Sequence, residues 1–298
     1  MKKLSVILSV ISISAFFAAC GGSEEKNEAG ASDSTATVQD SGMVSDKSEE
    51  YFMVPAPDEM FSFIKDIGGE GKSTAFLNPP DNYKNYLDNK SKALNFGIYA
   101  TDFLYSSIFD YGSEALKYFV NVKKLGDELG ISGTINEATA DRIKKNIGNN
   151  DSLSSISNAL YFSAIEDLEK TDKASTVSLV ITGGWIESLH LVTNMVKKFN
   201  ADNPAVERIS EQKYTLENLI GYLKKYESDA NVAAVTVQMN ELKSVFDQLK
   251  EETTTGKVAA KNGKKVLGGG TKITITEEQF NAIKDKVKSI HDSFTMPK

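Results

Sequence analysis

The sequence predicts an all-α fold, either a multi-helix bundle or stacked helical hairpins, from three observations. Apolar residues recur at alternating steps of three and four, the spacing of an amphipathic helix. Residues typical of helix starts lie at the ends of those stretches. The 298 residues include only six prolines and are 40% hydrophobic, which suits long helices around a shared core. The clearest apolar stripes are Val232, Val235, Met239, Leu242, Phe246 and Leu249; Ile209, Leu216, Leu219, Ile220, Leu223 and Tyr226; and Phe280, Ile283, Val287, Ile290 and Phe294.

Nine helices follow from these patterns. Asn203 before Pro204 marks one start, and capping boxes at 134–137 and 276–279 mark two more. Short connections between the helices favour antiparallel neighbours. Asp81, Asp151 and Asp172 stand where further helices can begin. The predicted helices span residues 58–67, 82–110, 112–129, 136–147, 151–170, 173–200, 204–227, 231–251 and 277–294.

The predicted helices 82–110 and 173–200 are apolar almost all round, which predicts that they are the central, buried ones. Each has glycine in its interior: Gly97 in the first, and Gly183 with Gly184 in the second. An interior glycine costs about 1 kcal/mol relative to alanine. We therefore expect these glycines to permit a close approach of helix backbones that offsets the cost.

Residues 253–275 break the helical pattern. Asn262-Gly263 is a hairpin turn signal, but lysine and alanine flank it instead of alternating apolar residues. The segment is predicted to be a Gly/Lys-rich loop or a short hairpin, with one short strand at 271–275. Its lysines either contact an anion or a partner, or face solvent.

The chain begins with the three parts of a secretory signal: a basic start, an apolar run over residues 4–17, and small residues before Cys20. The run is shorter than the roughly 20 residues that span a bilayer. Phe-Ala-Ala-Cys at 17–20 resembles the lipobox of bacterial lipoproteins. That resemblance implies cleavage before Cys20, diacylglycerol on its sulfur, and acylation of the new amine, for example with palmitate. The alternative is an ordinary signal that leaves a free thiol.

Residues 20–50 are predicted to be a disordered acidic tether between a signal peptide (1–19) and a helical domain (51–298). Positions 21–50 hold eight acidic side chains against two lysines, with few large apolar residues to offset the entropy of ordering. Ser-Glu-Glu at 23–25 resembles the surface-export signal of Bacteroidota lipoproteins; the alternative is a generic linker. The whole chain carries −7 and most of that charge is in the tether, so no nucleic-acid partner is expected.

Motifs for catalysis and metal binding are incomplete. Residues 68–74 resemble a phosphate-binding loop but lack its first glycine and a preceding strand. Glu187 and His190 have the Glu-x-x-His spacing of di-iron bundles, which need two such pairs, whereas the only other histidine, His291, follows Lys288 at that spacing. Two histidines and a lipidated cysteine also exclude zinc ligation by Cys and His. The sequence therefore predicts no catalytic residue, no metal and no cofactor.

Polar and aromatic residues on the two central helices define a candidate ligand pocket. In it Asp102 would orient a polar ligand between aromatic walls. The alternative is a structural carboxylate bonded to tyrosine hydroxyls or a helix end. His190 is likewise expected to be structural, with Glu187 as its partner. The candidate pocket residues are Tyr99, Asp102, Tyr105, Trp185, Glu187 and His190.

The 99–102 and 183–187 segments and the lipobox together resemble an uncharacterised group of helical lipoproteins of Bacteroidota, and the resemblance is diffuse over most of the mature chain. The resemblance implies a lipid-anchored place at the outer membrane, facing the periplasm or the surface, and no particular activity. The leading hypothesis is a non-enzymatic helical module of the cell envelope that binds a protein or a small molecule. The alternatives are an envelope hydrolase with a carboxylate site around Asp102 and Glu187, and a structural spacer.

Overall fold

A computed structural model describes residues 43–44, 52–53, 57–66, 69–131, 135–254, 259–261, 264–266 and 270–296. Helices dominate these residues and the strands are short, so the predicted all-α fold is confirmed. The predicted signal peptide, Cys20 and most of the predicted tether lie outside the described residues. The described residues belong to one compact unit.

Nine α-helices lie in the described residues and are numbered in chain order. All nine overlap the helices expected from the apolar periodicity. They are α1 (Pro57–Asp66), α2 (Asn89–Ile108), α3 (Gly112–Leu129), α4 (Glu137–Lys145), α5 (Asn150–Lys170), α6 (Ala174–Met195), α7 (Pro204–Lys224), α8 (Ala230–Phe246) and α9 (Glu277–Thr295).

The predicted helix 82–110 is two elements in the structure. Pro80–Asn85 is a 3₁₀ helix, and α2 begins only at Asn89. Asp88 separates them, because its extended backbone lets its carboxylate accept a hydrogen bond from the backbone N–H of Ser91. An aspartate in this position is a strong helix start, and the sequence prediction overlooked it.

Other helix starts are set by short polar side chains. Asn203 caps α7, and Thr276 forms the predicted capping box with Gln279 at α9, so both predictions are confirmed. In α4 and α5 the caps are Asn136 and Asn149, each accepting from a backbone N–H in the first turn. The predicted starts at 134 and 151 were therefore displaced by one or two residues, as boundaries read from sequence often are.

The 253–275 segment contains antiparallel strands, so the hairpin alternative is confirmed. β3 (Lys250–Thr254) pairs with β6 (Gly270–Thr274), and β4 (Ala259–Lys261) pairs with β5 (Lys264–Val266). α8 ends at Phe246 instead of continuing to 251, and Lys250 and Glu251, predicted as its last residues, belong to β3. Earlier in the chain, the two-residue strands β1 (Met43–Val44) and β2 (Phe52–Met53) also pair, with β1 inside the predicted tether.

The helices α2 and α6 pack against each other as the central pair, as expected. A Cβ at Gly97 would overlap the carbonyl oxygen of Val180, and one at Gly183 would overlap that of Leu94. Thr101 on α2 also donates its hydroxyl to the carbonyl of Gly184 at 3.3 Å. The predicted close approach at these glycines is therefore confirmed.

Most of the remaining helices surround this pair, and α4 packs on α3. α3 and α5 pack on α2, whereas α7, α8 and α9 pack on α6. α9 also contacts α2, which brings its C-terminal half to the middle of the bundle. In the part of the chain that the structure describes, we find no helix with both the length and the apolarity needed to cross a bilayer.

Candidate functional site

Three of the six predicted pocket residues meet where α2 and α6 pack together. Asp102 on α2 and Glu187 on α6 have no exposed surface, and His190 on α6 is 8% exposed. His291 on α9, 6% exposed, lies against them. Two carboxyl groups and both histidines of the chain thus form one buried group, which we call the acid–imidazole cluster.

The two carboxyl groups of the cluster lie within hydrogen-bond reach of each other. The backbone N–H of Asn78 donates to Oδ2 of Asp102 at 3.3 Å. Oδ1 of Asp102 and both oxygens of Glu187 are buried. When both carboxyl groups are ionised, these oxygens accept no hydrogen bond. An ionised carboxylate only accepts, so the pair lacks a donor unless one of its members is protonated.

The histidines belong to different helices and stack face to face. The ring centroids of His190 and His291 are 4.0 Å apart and the rings are 3° from parallel. Nε2 of His291 lies 2.8 Å from Oε2 of Glu187, without the alignment of a hydrogen bond. Nδ1 of His190 lies 3.4 Å from Nδ2 of Asn194. The partner of Glu187 is therefore His291 on α9, and not His190 as expected from their spacing on one helix.

Burial sets the charge of the cluster. Loss of water, and then the charge of Glu187, raises the pKa of Asp102 well above its usual range. Burial also raises the pKa of Glu187, although the hydrogen bond with Asp102 acts against the rise. Burial lowers the pKa of His291, and it lowers the pKa of His190 to about 3. Each group is thus favoured in its uncharged form, as a low-dielectric site requires.

The other three predicted pocket residues have structural partners. Tyr99 donates its hydroxyl to the carbonyl of Pro79 at 2.9 Å. The hydroxyl of Tyr105 accepts from the backbone N–H of Ser73 at 2.8 Å. Trp185 donates Nε1–H to Gln212 on α7 at 3.1 Å. Trp185 lies two residues from Glu187, so the two side chains leave α6 on nearly opposite sides and do not share one pocket.

Imidazole and carboxylate groups are common ligands of transition metals, so the cluster has the ligand types of a metal site. Among the described residues, however, no three His, Cys, Asp or Glu side chains are placed to hold one ion. The members of the cluster contact one another in pairs instead of pointing at a common centre. The arrangement suits proton binding better than metal binding.

An open cleft of about 290 Å³ lies beside the cluster, between the start of α2, α8 and the end of α9. Tyr86 links the two, because it lines the cleft and its hydroxyl accepts from Nδ2 of Asn78 at 3.0 Å. The same hydroxyl donates to the carbonyl of Thr295 at 3.2 Å. Other lining residues are Asn85, Ser91, Ala234, Gln238, Ser293 and Met296.

Sequence reasoning missed His291 and Asn78 as members of this region. His291 follows Val287 by one helical turn and adjoins Ile290, so its place at the edge of the α9 apolar stripe was an available signal for a buried histidine. Asn78 lies between a short 3₁₀ helix, Thr74–Phe76, and the 3₁₀ helix Pro80–Asn85, where no periodicity applies. Its contact with Asp102 depends on a chain turn that residue patterns do not reveal.

The comparisons with known proteins assign no family to this chain. No protein-family model, no curated protein and no solved structure matches it.

Proposed function

We propose that this protein is a non-enzymatic binding module of the cell envelope, held to a membrane by lipid on Cys20, and that its ligand occupies the cleft beside α2, α8 and α9. The observation that carries the proposal is the separation of the acids from the open space. Asp102 and Glu187 are sealed in the core, whereas the cleft is lined by amides, hydroxyls and apolar groups together with the charged side chains of Asp88 and Lys90.

A carboxylate-based hydrolase is less well supported. In hydrolysis, acid and base groups must reach both the substrate and a water molecule. Neither carboxyl of the acid–imidazole cluster has any exposed surface. In the cleft, the carboxylate of Asp88 already caps α2. The raised pKa values of the buried acids therefore follow from their enclosure and are not evidence of a catalytic pair.

The cleft also favours binding over a purely structural spacer. Its wall combines hydrogen-bonding groups with apolar side chains, which is the usual composition of a ligand site. Leu94 and Phe294 form apolar parts of the wall, and exposed Met296 stands at its edge. A spacer has no need of such a concave, mixed surface.

A photo-crosslinking experiment tests the cleft. We expect benzoyl-phenylalanine in place of Ala234, which lines the cleft, to crosslink a specific protein or small molecule in intact cells that make the full chain. The same residue in place of Ala138, an exposed helical alanine on α4, is the matched control. Adducts should be found by intact mass and by gel. No adduct at 234, or identical adducts at both positions, would contradict the proposed cleft.

The membrane attachment rests on the lipobox-like residues 17–20. A single acyl chain holds a protein only marginally, because each buried methylene contributes about 0.8 kcal/mol, whereas two or three chains form a stable anchor. The acidic residues after Cys20 would then act as a spacer between this anchor and the helical domain.

Substitution of the proposed lipidation site gives a direct test. We expect Cys20→Ser to abolish incorporation of labelled fatty acid and to move the full chain from the detergent phase to the aqueous phase on phase separation. Ser23→Ala in the same segment keeps the thiol and should partition like the wild type. A Cys20→Ser chain that stays in the detergent phase would rule out this anchor.

A further inference from the structure

Several buried polar atoms of the acid–imidazole cluster lack a hydrogen-bond partner. They are Oδ1 of Asp102, both carboxyl oxygens of Glu187 and both ring nitrogens of His291. A buried polar group without a partner costs about 1–3 kcal/mol. Three of the five atoms are oxygens that only accept when ionised, and the neutral ring of His291 offers a single N–H, so the group has more acceptors than donors. One bound proton supplies a further donor.

We propose that Asp102, Glu187 and His291 form a buried proton-binding site, which retains a proton at neutral pH and exchanges it with solvent through His291 and Asp292. The proposal concerns the core of the bundle and does not depend on what occupies the cleft.

The stored proton lies between the two carboxyl groups. The N–H of Asn78 already donates to Oδ2 of Asp102, which leaves Oδ1 for Glu187. A proton on either acid makes an O–H···O hydrogen bond between them and gives two of the unpartnered oxygens a partner. Two carboxylates this close do not ionise together in a dry interior, because their charges repel.

The exit path follows α9. Rotation of the Glu187 carboxyl first brings the proton to Oε2. It then passes to Nε2 of His291, 2.8 Å away, while the ring carries its own proton on Nδ1. The ring then releases its other proton from Nδ1 to Oδ1 of Asp292, 3.6 Å away, which requires a small rotation or a bridging water molecule. Asp292 is 28% exposed and passes the proton to solvent. The net change is one proton lost from the acid pair. The imidazole is neutral again but carries its proton on Nε2 instead of Nδ1, so the ring must turn over or exchange that proton before the next transfer.

The surroundings favour the protonated acid pair. After loss of water, the charge of Glu187 and the hydrogen bond with it raise the pKa of Asp102, whereas a charge on His291 and the N–H of Asn78 act against that rise. Loss of water also raises the pKa of Glu187. Lys288 on α9 acts on the two histidines and pairs with Asp292 at 2.5 Å. The remaining titratable neighbours are tyrosines, whose own pKa values are raised by burial. They are Tyr86, Tyr99, Tyr105 and Tyr118.

Infrared spectroscopy of the full chain tests the stored proton. At pH 7 we expect a C=O stretching band of a protonated carboxyl, separate from carboxylate and amide bands. The Asp102→Asn/Glu187→Gln double variant should lose this band, and Glu70→Gln, which changes an exposed carboxylate, should keep it. Absence of the band in the wild type at pH 7, or its persistence in the double variant, would overturn the proposed site.

Hydrogen–deuterium exchange of the same band tests the path without disturbing the core. Because Asp292 is partly exposed, Asp292→Asn should fold normally and slow the exchange about tenfold, which corresponds to ~1.4 kcal/mol of barrier. Asp285→Asn, an exposed position on the same helix, is the matched control and should exchange at the wild-type rate. Equal rates in the two variants would refute the exit through Asp292.

Discussion

Gly183→Ala is expected to destabilise the full chain by about 3 kcal/mol or more, although alanine is the better helix former. The added methyl group would overlap the carbonyl oxygen of Leu94 on α2. The obstacle is backbone and not a flexible side chain, so α2 and α6 must move apart along their contact. The helix propensity gained from alanine, about 1 kcal/mol, does not offset this.

Urea unfolding followed by circular dichroism measures the change in the free energy of unfolding. In thermal unfolding, the midpoint temperature should fall by roughly 6–12 °C for a domain of this size. Gly112→Ala is the matched control, because the nearest atom to its added Cβ is a side-chain methyl of Ile147 at 3.2 Å. We expect the control to change stability by less than ~1 kcal/mol. If Gly183→Ala were as stable as the control, the α2–α6 contact would be looser than described.

The free energy of unfolding should fall as the pH rises above about 6.5, the ordinary histidine pKa. Folding raises the pKa of Asp102 and of Glu187, so the folded chain holds protons that the unfolded chain has released. Their stabilising contribution is complete below about pH 4 and is lost as the pH rises through the folded pKa values. Each retained proton gives a slope of about −1.4 kcal/mol per pH unit.

The two histidines act in the opposite direction at lower pH. Folding lowers the pKa of His190 to about 3 and lowers that of His291, so their contribution is present above about 6.5 and is lost as the pH falls below it. From about pH 4.5 to 6.5 the acids and the histidines oppose each other, and the slope should be shallow. Above that range the histidines are neutral in both the folded and the unfolded chain, and the two acids alone set the slope of the free energy of unfolding against pH.

Glu187→Gln tests this account, because it removes one titrating proton and keeps a side chain of similar size. We expect urea unfolding at several pH values between 6.5 and 9 to give a shallower slope for this variant than for the wild type. Glu70→Gln, at an exposed position with no place in the core, should keep the wild-type slope. Identical slopes in all three proteins would mean that Glu187 is ionised in the folded state.

The helix pattern was largely predictable, because it depends on local physics. Apolar stripes, helix-start residues and two almost wholly apolar segments together predicted nine helices that overlap the described ones, and the caps at Asn203 and Thr276 were correctly placed. The failures at helix ends also have local causes, such as the extended backbone of Asp88, which caps α2. The short strands at 250–274 were harder, since their sequence is not strongly apolar and the β3–β6 pairing joins residues about twenty apart.

The candidate site was predictable only in part. Asp102, Glu187 and His190 stood out as polar residues on apolar helices, and the structure brings them together. The sequence could not reveal that His291 completes the group, because that contact joins residues on two helices about a hundred positions apart. It also could not distinguish a pocket from a sealed core, because both have the same residue types.

The sequence by itself determined the helical class, the central place of α2 and α6, and the need for glycine where they meet, because periodicity and backbone sterics act over a few residues. The tertiary structure alone decided which polar groups face one another and whether water reaches them. Burial and proximity set the proton affinity of Asp102 and Glu187, and both are properties of packed helices that no single segment carries.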